Sequence, residues 1–393
     1  VAHEKLLPYY GSLSMYRVIF DARSVVPQSS GIGNYAATLL REMVAIDEAF
    51  SFTVLRHPGS KHPLVDSDRV QEVEIVPGET KSVATLFRAR AVMRLSGHDL
   101  YHSPADMVPP RVPCPFVVTM HDMMWVEAPH LASNFWPSRL TMHLWYRGHY
   151  AHSIRGAIRV IAISQATADA ITRLYPRHAS KIRVVRHGLD RQRFDPAKVP
   201  ARSTLSGWVP ESSPFLLAVG QGSPYKNHAN IVRAFLLATR DRPHHRLVLV
   251  RRFARVDFEM RRLLRQPEVR RKVLVYPFVP DDVLMALYGH AQALVFASHY
   301  EGCGMPAMEA MALGTPVVAS RAPAILEMTG DAALHADASD VAELASSIRQ
   351  VVEDEPTRNR LMAAGRDHIQ QFRWQRCAQE TLQVYREAIG RAG

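Results

Sequence analysis

Glu301 and Glu309 stand on either side of a glycine-rich turn in the run ALVFASHYEGCGMPAMEAMALGTPVVAS, residues 293–320. The run reads as a buried strand, a loop with Gly302 and Gly304, a helix begun near Pro306, a stop at Gly314 and a second buried strand. Proline at the first helical turn and glycine just past the last are the expected punctuation of such a unit. Its loop brings bare backbone N–H groups to a helix N-terminus, where partial positive charge favours phosphate or polarised hydroxyls. A carboxylate beside an anion site is unfavourable unless it accepts hydrogen bonds from hydroxyls, which sugars and ribose supply. The plainer alternative is a helix start whose acids complement its dipole.

Other residue types in useful places are few. Lys226, in SPYKN, directly follows a strand and a glycine loop, where an ammonium would address phosphate rather than solvent. His121 follows the apolar run PFVVTM, at the carboxyl end of a strand, where ligands gather in open α/β sheets. Asp122 beside it could orient that imidazole or cap the next turn. The pair Asp66 and Asp68 has the form of a metal-binding Asp-x-Asp but sits in the polar stretch KHPLVDSDRVQ with no buried strand before it, so a surface loop is expected. Cys114, Cys303 and Cys377 are widely separated, which argues against a disulfide framework or structural zinc and for a reducing, cytoplasmic setting.

The elements that must position these groups alternate regularly. RVIFD (17–21) is followed by SSGIGNYAATLLREM, in which Tyr35, Leu39, Leu40 and Met43 recur at helical spacing. Strand-like runs SFTVL, VEIV, DLYHS, PFVVTM, AIRVIAI and KIRVV follow, with helices predicted at 82–95, 134–155 and 164–174. From 191 to 213 the pattern lapses into a Pro-, Ser- and charge-rich stretch that reads as a linker. Alternation resumes with PFLLAVG, HRLVLV, KVLVYPFV, QALVFAS and TPVVAS, with helices predicted at 227–240, 257–268, 280–290 and 306–313. Apolar strands alternating with helices predict mostly parallel sheets covered on both faces, an α/β class with two doubly wound domains, 15–190 and 214–373, and a terminal helix over 374–393. Residues 1–14 precede Met15 and the first strand and read as an upstream extension or remnant outside this fold.

Composition narrows the function. With 47% hydrophobic and 22% charged residues, the 393-residue chain is globular rather than disordered or low-complexity. No uncharged apolar run approaches the roughly 18 to 20 residues of a membrane span. The 48 basic and 37 acidic residues leave a charge of +11, which favours anionic partners: nucleic acid, acidic lipid or a phosphorylated substrate. Much of the excess lies in residues 81–94, with four cations and no acid, and in 128–168, which holds Arg139, Arg147, Arg155 and Arg159, no acid, and Phe135, Trp136, Trp145, Tyr146 and Tyr150. Basic helices with aromatics suit an anionic bilayer interface; the plainer reading packs the aromatics inward and leaves the arginines solvated.

EGCGMPAMEAMALGTPVVAS resembles the signature of retaining glycosyltransferases of family 4, and so do IFDARSVVPQSSGIGNYAATLL, TMHD at 119–122, IAISQATADAI, RHGLDRQRFDP, VGQGSPYKN and FRWQRCAQETLQVYREA. The subgroup most similar is that of bacterial mannosyltransferases of surface-polysaccharide assembly. The resemblance implies a GT-B fold, two Rossmann-like domains facing across a cleft, with the terminal helix crossing back to the first domain. It implies that Glu301 contacts the donor sugar's hydroxyls and Glu309 the ribose, that amides of Gly302, Cys303, Gly304 and Met305 hold sugar and phosphates, and that Lys226 binds the diphosphate. His121 would lie near the transferred sugar, and Gly31 and Gly33 would form a loop facing the donor phosphates, a close approach that a missing β-carbon permits.

Three positions depart from the pattern. Gln221 stands where the family commonly has a second diphosphate arginine, Arg251 and Arg252 stand where it usually has glycine, and Cys303 stands where it prefers phenylalanine. Catalysis is expected to be metal-independent and without cofactor. The partners implied are a GDP- or UDP-sugar donor, with GDP-mannose first, a glycan or lipid-linked acceptor, and peripheral contact with an anionic membrane. Competing readings are another GT-B enzyme, an epimerase or phosphorylase, and a basic nucleic-acid-binding protein.

Overall fold

The computed structural model describes residues 15–26, 31–75, 96–252 and 258–392. The helix predicted at 82–95 and the basic stretch 81–94 lie outside them. Contacts divide the chain into two units, one of Val1–Thr119, Gly156–Arg159 and Ala378–Gly393, the other of Met120–Arg155 and Val160–Cys377.

One sheet is built from β1 (Tyr16–Ala22), β2 (Phe50–Arg56), β3 (Val70–Glu74), β4 (Leu100–Ser103), β5 (Phe116–Met120), β6 (Arg159–Ala162) and β7 (Ile182–Val184), in the order β3-β2-β1-β4-β5-β6-β7. The other contains β8 (Phe215–Gln221), β9 (Arg246–Arg252), β10 (Val273–Tyr276), β11 (Ala293–Phe296), β12 (Val317–Ser320) and β13 (Leu334–Ala336), in the order β10-β9-β8-β11-β12-β13, and is parallel throughout. In both, the order runs back from the first strand and then resumes on its other side, which defines the doubly wound α/β fold. The strands read as unbroken apolar runs because helices cover both faces. In the second sheet Leu216, Leu247, Leu249, Val295 and Val318 are fully buried in one core cluster.

The helices used below are α1 (Gly31–Ile46), α2 (Trp136–Gly156), α3 (Gln165–Leu174), α4 (His228–Ala238), α5 (Phe258–Leu264), α6 (Pro267–Lys272), α7 (Asp281–His290), α8 (Met305–Ala312), α9 (Pro323–Thr329), α10 (Val341–Glu353), α11 (Glu355–His368) and α12 (Trp374–Ala392). The single helix predicted at 257–268 is two, because Pro267 lacks the N–H that a continuous helix requires and opens α6 instead. Residues 191–213 are irregular but packed. Leu205 and Val209 are buried, Arg202 donates to the Ser213 carbonyl at 2.8 Å, and Trp208 meets Tyr276 edge to face at 4.9 Å.

From Ala378 onward α12 belongs to the unit that contains β1–β4. There Tyr385 is fully buried, its hydroxyl 2.6 Å from His102 Nδ1 and its ring edge-on to Phe50. Arg159 was expected in a basic surface stretch; it is 2% exposed and paired with Glu387 at 3.0 Å. Its charge serves the interior, not the surface. Asp66 and Asp68 are exposed, as the polar loop predicted.

Candidate active site

In the second sheet the strand order reverses between β8 and β11, so the loops leaving their carboxyl ends border the crevice where open α/β sheets take ligands. Those two loops carry Lys226 and Glu301. Pro224–Lys226 forms a single 3₁₀ turn that ends on Asn227 in the left-handed conformation, and Asn227 Nδ2 donates to the carbonyls of Ala297 and Ala338. The turn is thereby tied to the strand-end loops beside it. Lys226 is 8% exposed, and its Nζ donates to Glu301 Oε1 at 2.6 Å. The ammonium also lies 5.0 Å from the centre of the Phe296 ring and 5.1 Å from that of Tyr225. This ion pair resolves the electrostatic oddity of an acid at an anion-favouring helix end: the lysine neutralises it.

After Glu301 the loop turns hard against the segment that follows β5. A β-carbon on Gly302 would sit 1.9 Å from the His121 carbonyl oxygen, so only glycine fits. The approach is fastened from α3. Ser164, its N-cap, accepts from Thr167 N and donates to the Gly302 carbonyl at 2.7 Å, and Thr167 Oγ1 donates to the His121 carbonyl at 3.3 Å. His121 and the Glu301 loop are thus brought together by backbone, not by their side chains. Asp122 caps the next turn by accepting from Met124 N at 2.9 Å. His187, in RHGLD, lies near His121; burial holds its pKa down at about 4, so it is neutral and its Nδ1–H donates to the Gly188 carbonyl.

Gly304 adopts φ 89° and caps α8, whose first residue is Met305. Glu309 follows about one turn later. Burial pushes its carboxyl up, against the pull of the Tyr288 hydroxyl, which donates to Oε2 at 2.8 Å. Cys303 is buried, and burial raises its thiol far above neutrality, as suits a packing residue.

Gln221 is exposed at the end of β8, and the register sets Arg252 beside it and Arg251 beside Gly220. The Arg251 side chain is 3% exposed and lines a cavity of about 250 Å³ together with Gly222, Ser223, His228 and His299. His228 opens α4; burial and the charges of Arg251 and Lys226 lower its pKa to about 3. The cavity wall therefore carries a permanent cation beside a helix N-terminus and a neutral imidazole.

In the first sheet the expectation for Gly31 and Gly33 needs correction. Both lie in α1 rather than in a loop, and a β-carbon on Gly31 would meet nothing within 4 Å. At the end of β1, Asp21 and Arg23 form a buried pair at 2.6 Å, joined by the Tyr101 hydroxyl at 2.7 Å from Asp21 Oδ2. Sequence reasoning passed over this pair, and also Ser164, Thr167, His187 and Tyr288. The serine was legible as an N-cap in ISQAT; the others had no local signal.

Residues 207–368 match the family model described as glycosyl transferases group 1, and residues 29–193 match that described as glycosyltransferase family 4. The chain is 27% identical to the O-antigen chain mannosyltransferase B of Escherichia coli, over 73% of this chain and 74% of that protein. It is 30% identical to the D-inositol 3-phosphate glycosyltransferase of Saccharomonospora viridis, over 70% of this chain and 65% of that protein. Two solved structures share its fold at 19% identity: sucrose-phosphate synthase from Thermosynechococcus elongatus, with a TM-score of 0.74, covering 96% of this chain and 100% of that one, and Anabaena HepE in complex with UDP and glucose, with a TM-score of 0.68, covering 95% and 100%. With both halves matched in order, and the paired glutamates and lysine gathered at the switch point of the second sheet, the chain belongs to the family 4 glycosyltransferases of GT-B fold.

Proposed function

We propose that the protein transfers a sugar from a nucleotide-sugar donor to a glycan or lipid-linked saccharide, with retention of configuration and without a metal ion. The observation that carries this reading is the buried Lys226–Glu301 pair at the end of β8 and β11. Lys226 keeps further N–H donors for a diphosphate, and Glu301 keeps acceptor sites for sugar hydroxyls. Glu309, oriented by Tyr288, would take the ribose. Amides of Gly302, Cys303, Gly304 and Met305 would hold sugar and phosphate oxygens, with Gly31 and Gly33, in the first turn of α1, the further candidates. Arg251, reaching the cavity beside Gly222, is the candidate for the diphosphate cation that Gln221 does not supply.

Retention by a front-face route asks little covalent chemistry of the protein. The acceptor oxygen attacks the anomeric carbon from the side on which the bond to the diphosphate breaks, and the acceptor's proton passes to an oxygen of the departing diphosphate. Lys226, Arg251 and the α8 amides stabilise the charge that builds there, and His121 flanks the sugar. Activity should then survive EDTA; loss of turnover restored by manganese would contradict this design.

GDP-mannose is the favoured donor and surface-polysaccharide synthesis the favoured setting, supported by likeness to the O-antigen mannosyltransferase. HepE, solved in complex with UDP and glucose, marks UDP-sugars as the other choice. The site would operate in the cytoplasm at the inner membrane face, with nucleic acid no partner. Among the described residues no helix is long and apolar enough to cross a membrane, so that association would be peripheral.

A thermal-shift panel of GDP, UDP, ADP and TDP tests the reading, since a ligand at 100 times its dissociation constant adds about 2.7 kcal/mol. Lys226→Ala should weaken the preferred nucleoside diphosphate roughly 10- to 100-fold, the worth of a charged hydrogen bond, and the monophosphate far less. Equal losses for both would remove Lys226 from the diphosphate. Product analysis separates transfer to an acceptor from release of an epimer or a sugar phosphate, which the competing GT-B activities require.

A further inference from the structure

We infer that Glu127 is a positioning residue for sugar transfer, holding Glu301 at the donor through the hydroxyl of Tyr300, an inference that rests on the donor-sugar role proposed for Glu301. Residues 297–304 join β11 to α8, and an untethered loop of that length would not keep a carboxylate within the about 0.5 Å that a working contact needs. The residues on either side of Glu301 are both fastened. On one side the Gly302 carbonyl accepts from Ser164 Oγ at 2.7 Å. On the other the Tyr300 hydroxyl donates to Glu127 Oε2 at 2.8 Å, and its oxygen accepts from the Met123 amide. Burial and the Glu127 charge hold the Tyr300 phenol far above its ordinary value, so it stays a neutral donor. The Glu301 carboxylate takes no part in either tether, and its Oε1 accepts from Lys226.

Both tethers lead to α3. Ser164 is its N-cap, and Arg173, in its last turn, donates from Nε to Glu127 Oε1 at 3.2 Å. The two points lie about 13 Å apart along one rigid rod, so the peptide units before and after Glu301 take their positions from a single element. Glu127 also closes the short helical turn Met124–Glu127, whose first amide is capped by Asp122, the neighbour of His121. His121 and Glu301 therefore share one frame. Stability does not account for the Glu127 charge. Its cation partner Arg173 is 65% exposed, and ion pairs so open to solvent are worth little to the fold. A phenol bonded to a carboxylate, by contrast, is held about twice as strongly as by a neutral acceptor, and that phenol belongs to the residue before Glu301.

Two measurements test the assignment: turnover, read as nucleoside diphosphate released from GDP-mannose or UDP-glucose, and the affinity of each nucleotide-sugar beside that of its free diphosphate. Tyr300→Phe and Glu127→Ala should each lower kcat about 10- to 30-fold, short of the hundredfold expected of a full 1 Å displacement because Ser164 still holds Gly302. Both should also cut the affinity that the sugar adds over the free diphosphate, about threefold, while the free diphosphate binds as in wild type. Glu127→Gln, whose amide oxygen still accepts from the phenol, should keep kcat within about threefold of wild type. Glu127→Ala/Tyr300→Phe should be no slower than either single variant, because both remove the same bond. A merely structural carboxylate would give another pattern: a lower melting temperature with the kcat of the folded fraction preserved, and kcat losses that multiply in the double variant. That pattern, or wild-type kcat in Tyr300→Phe, would overturn the assignment. Tyr300→Phe keeps the ring in place, so it carries the test even where Glu127→Ala does not fold. Full activity in Glu301→Ala would remove Glu301 from the donor and Glu127 with it. An inactive Glu301→Ala beside a wild-type Tyr300→Phe would remove Glu127 alone.

Discussion

Gly302→Ala is expected to lower turnover by about two orders of magnitude, because a displacement near 1 Å at a catalytic constellation costs about that much. The new β-carbon would stand 1.9 Å from the His121 carbonyl oxygen, whereas real contacts of this kind begin at 3.0 Å, so the two segments must part by about 1.1 Å. Neither can yield cheaply. The obstacle is backbone, and Ser164 and Thr167 hold the two carbonyls from the start of α3. Opening the gap moves Glu301 on one side and His121 on the other. Overpacking of this kind costs about 1–3 kcal/mol, so the melting temperature should fall as well. Gly304→Ala is the contrast: its β-carbon would lie 3.4 Å from the Phe296 ring, an ordinary distance, and the cost is the left-handed φ of 89°, about 1–2 kcal/mol. Steady-state kinetics and melting curves of both variants check the argument. A Gly302→Ala protein with wild-type turnover and stability would show that the approach to His121 is not part of the working site.

This contact also marks the limit of what the sequence discloses. The alternation of apolar runs with helical spacing placed most strands and the glycine turn around Glu301, since buried parallel strands and helix punctuation are local signals. It did not pick out β13, three residues long, or α9, α10 and α11, which stand between TPVVAS and the terminal helix without a strong strand partner in the pattern. It ran α5 and α6 together across Pro267, and it set Gly31 in a loop that is helix. What escaped altogether is whatever depends on strand order. Lys226 and Glu301 are 75 residues apart, and only the position of β8 beside β11 makes them a pair. Arg159 looks like one more cation of a basic stretch until Glu387, 228 residues on, is folded against it. Likewise the aromatics of 128–168 separate into an inward set, Tyr146 and Tyr150, and an outward set, Phe135 and Trp136, only when the helix is packed.

Truncation after Arg373 should abolish both activity and solubility. The removed helix α12 is not a tail. Trp374, Cys377, Leu382, Val384 and Tyr385 are each at most 7% exposed, and burying a large apolar side chain contributes about 1.5–3 kcal/mol. The four larger ones, Trp374, Leu382, Val384 and Tyr385, together rival the roughly 5–15 kcal/mol by which a domain is stable at all. Polar partners are lost too. His102 Nδ1, buried on β4, loses the Tyr385 hydroxyl, and Asp47 loses Arg386. Arg159, 2% exposed, loses Glu387 and is left with a charge in the interior, a change that costs about 3–5 kcal/mol when one member of a buried pair is removed. At the other end of the helix, a β-carbon on Gly188 would lie 2.6 Å from the Trp374 backbone, so that turn is shaped around the start of α12 and would be left without its support. Because the truncated chain is expected to aggregate, point variants give the graded measurement. Tyr385→Phe keeps the ring and removes one hydrogen bond, for an expected loss of about 1–2 kcal/mol, and Glu387→Gln should cost more by weakening the partner of a buried guanidinium. Chemical denaturation of the two, beside a soluble-fraction assay of the truncation, separates the contributions. A soluble truncation with full activity, or a Glu387→Gln protein as stable as wild type, would mean that α12 merely lies on the surface of β1 to β4 and holds nothing in place.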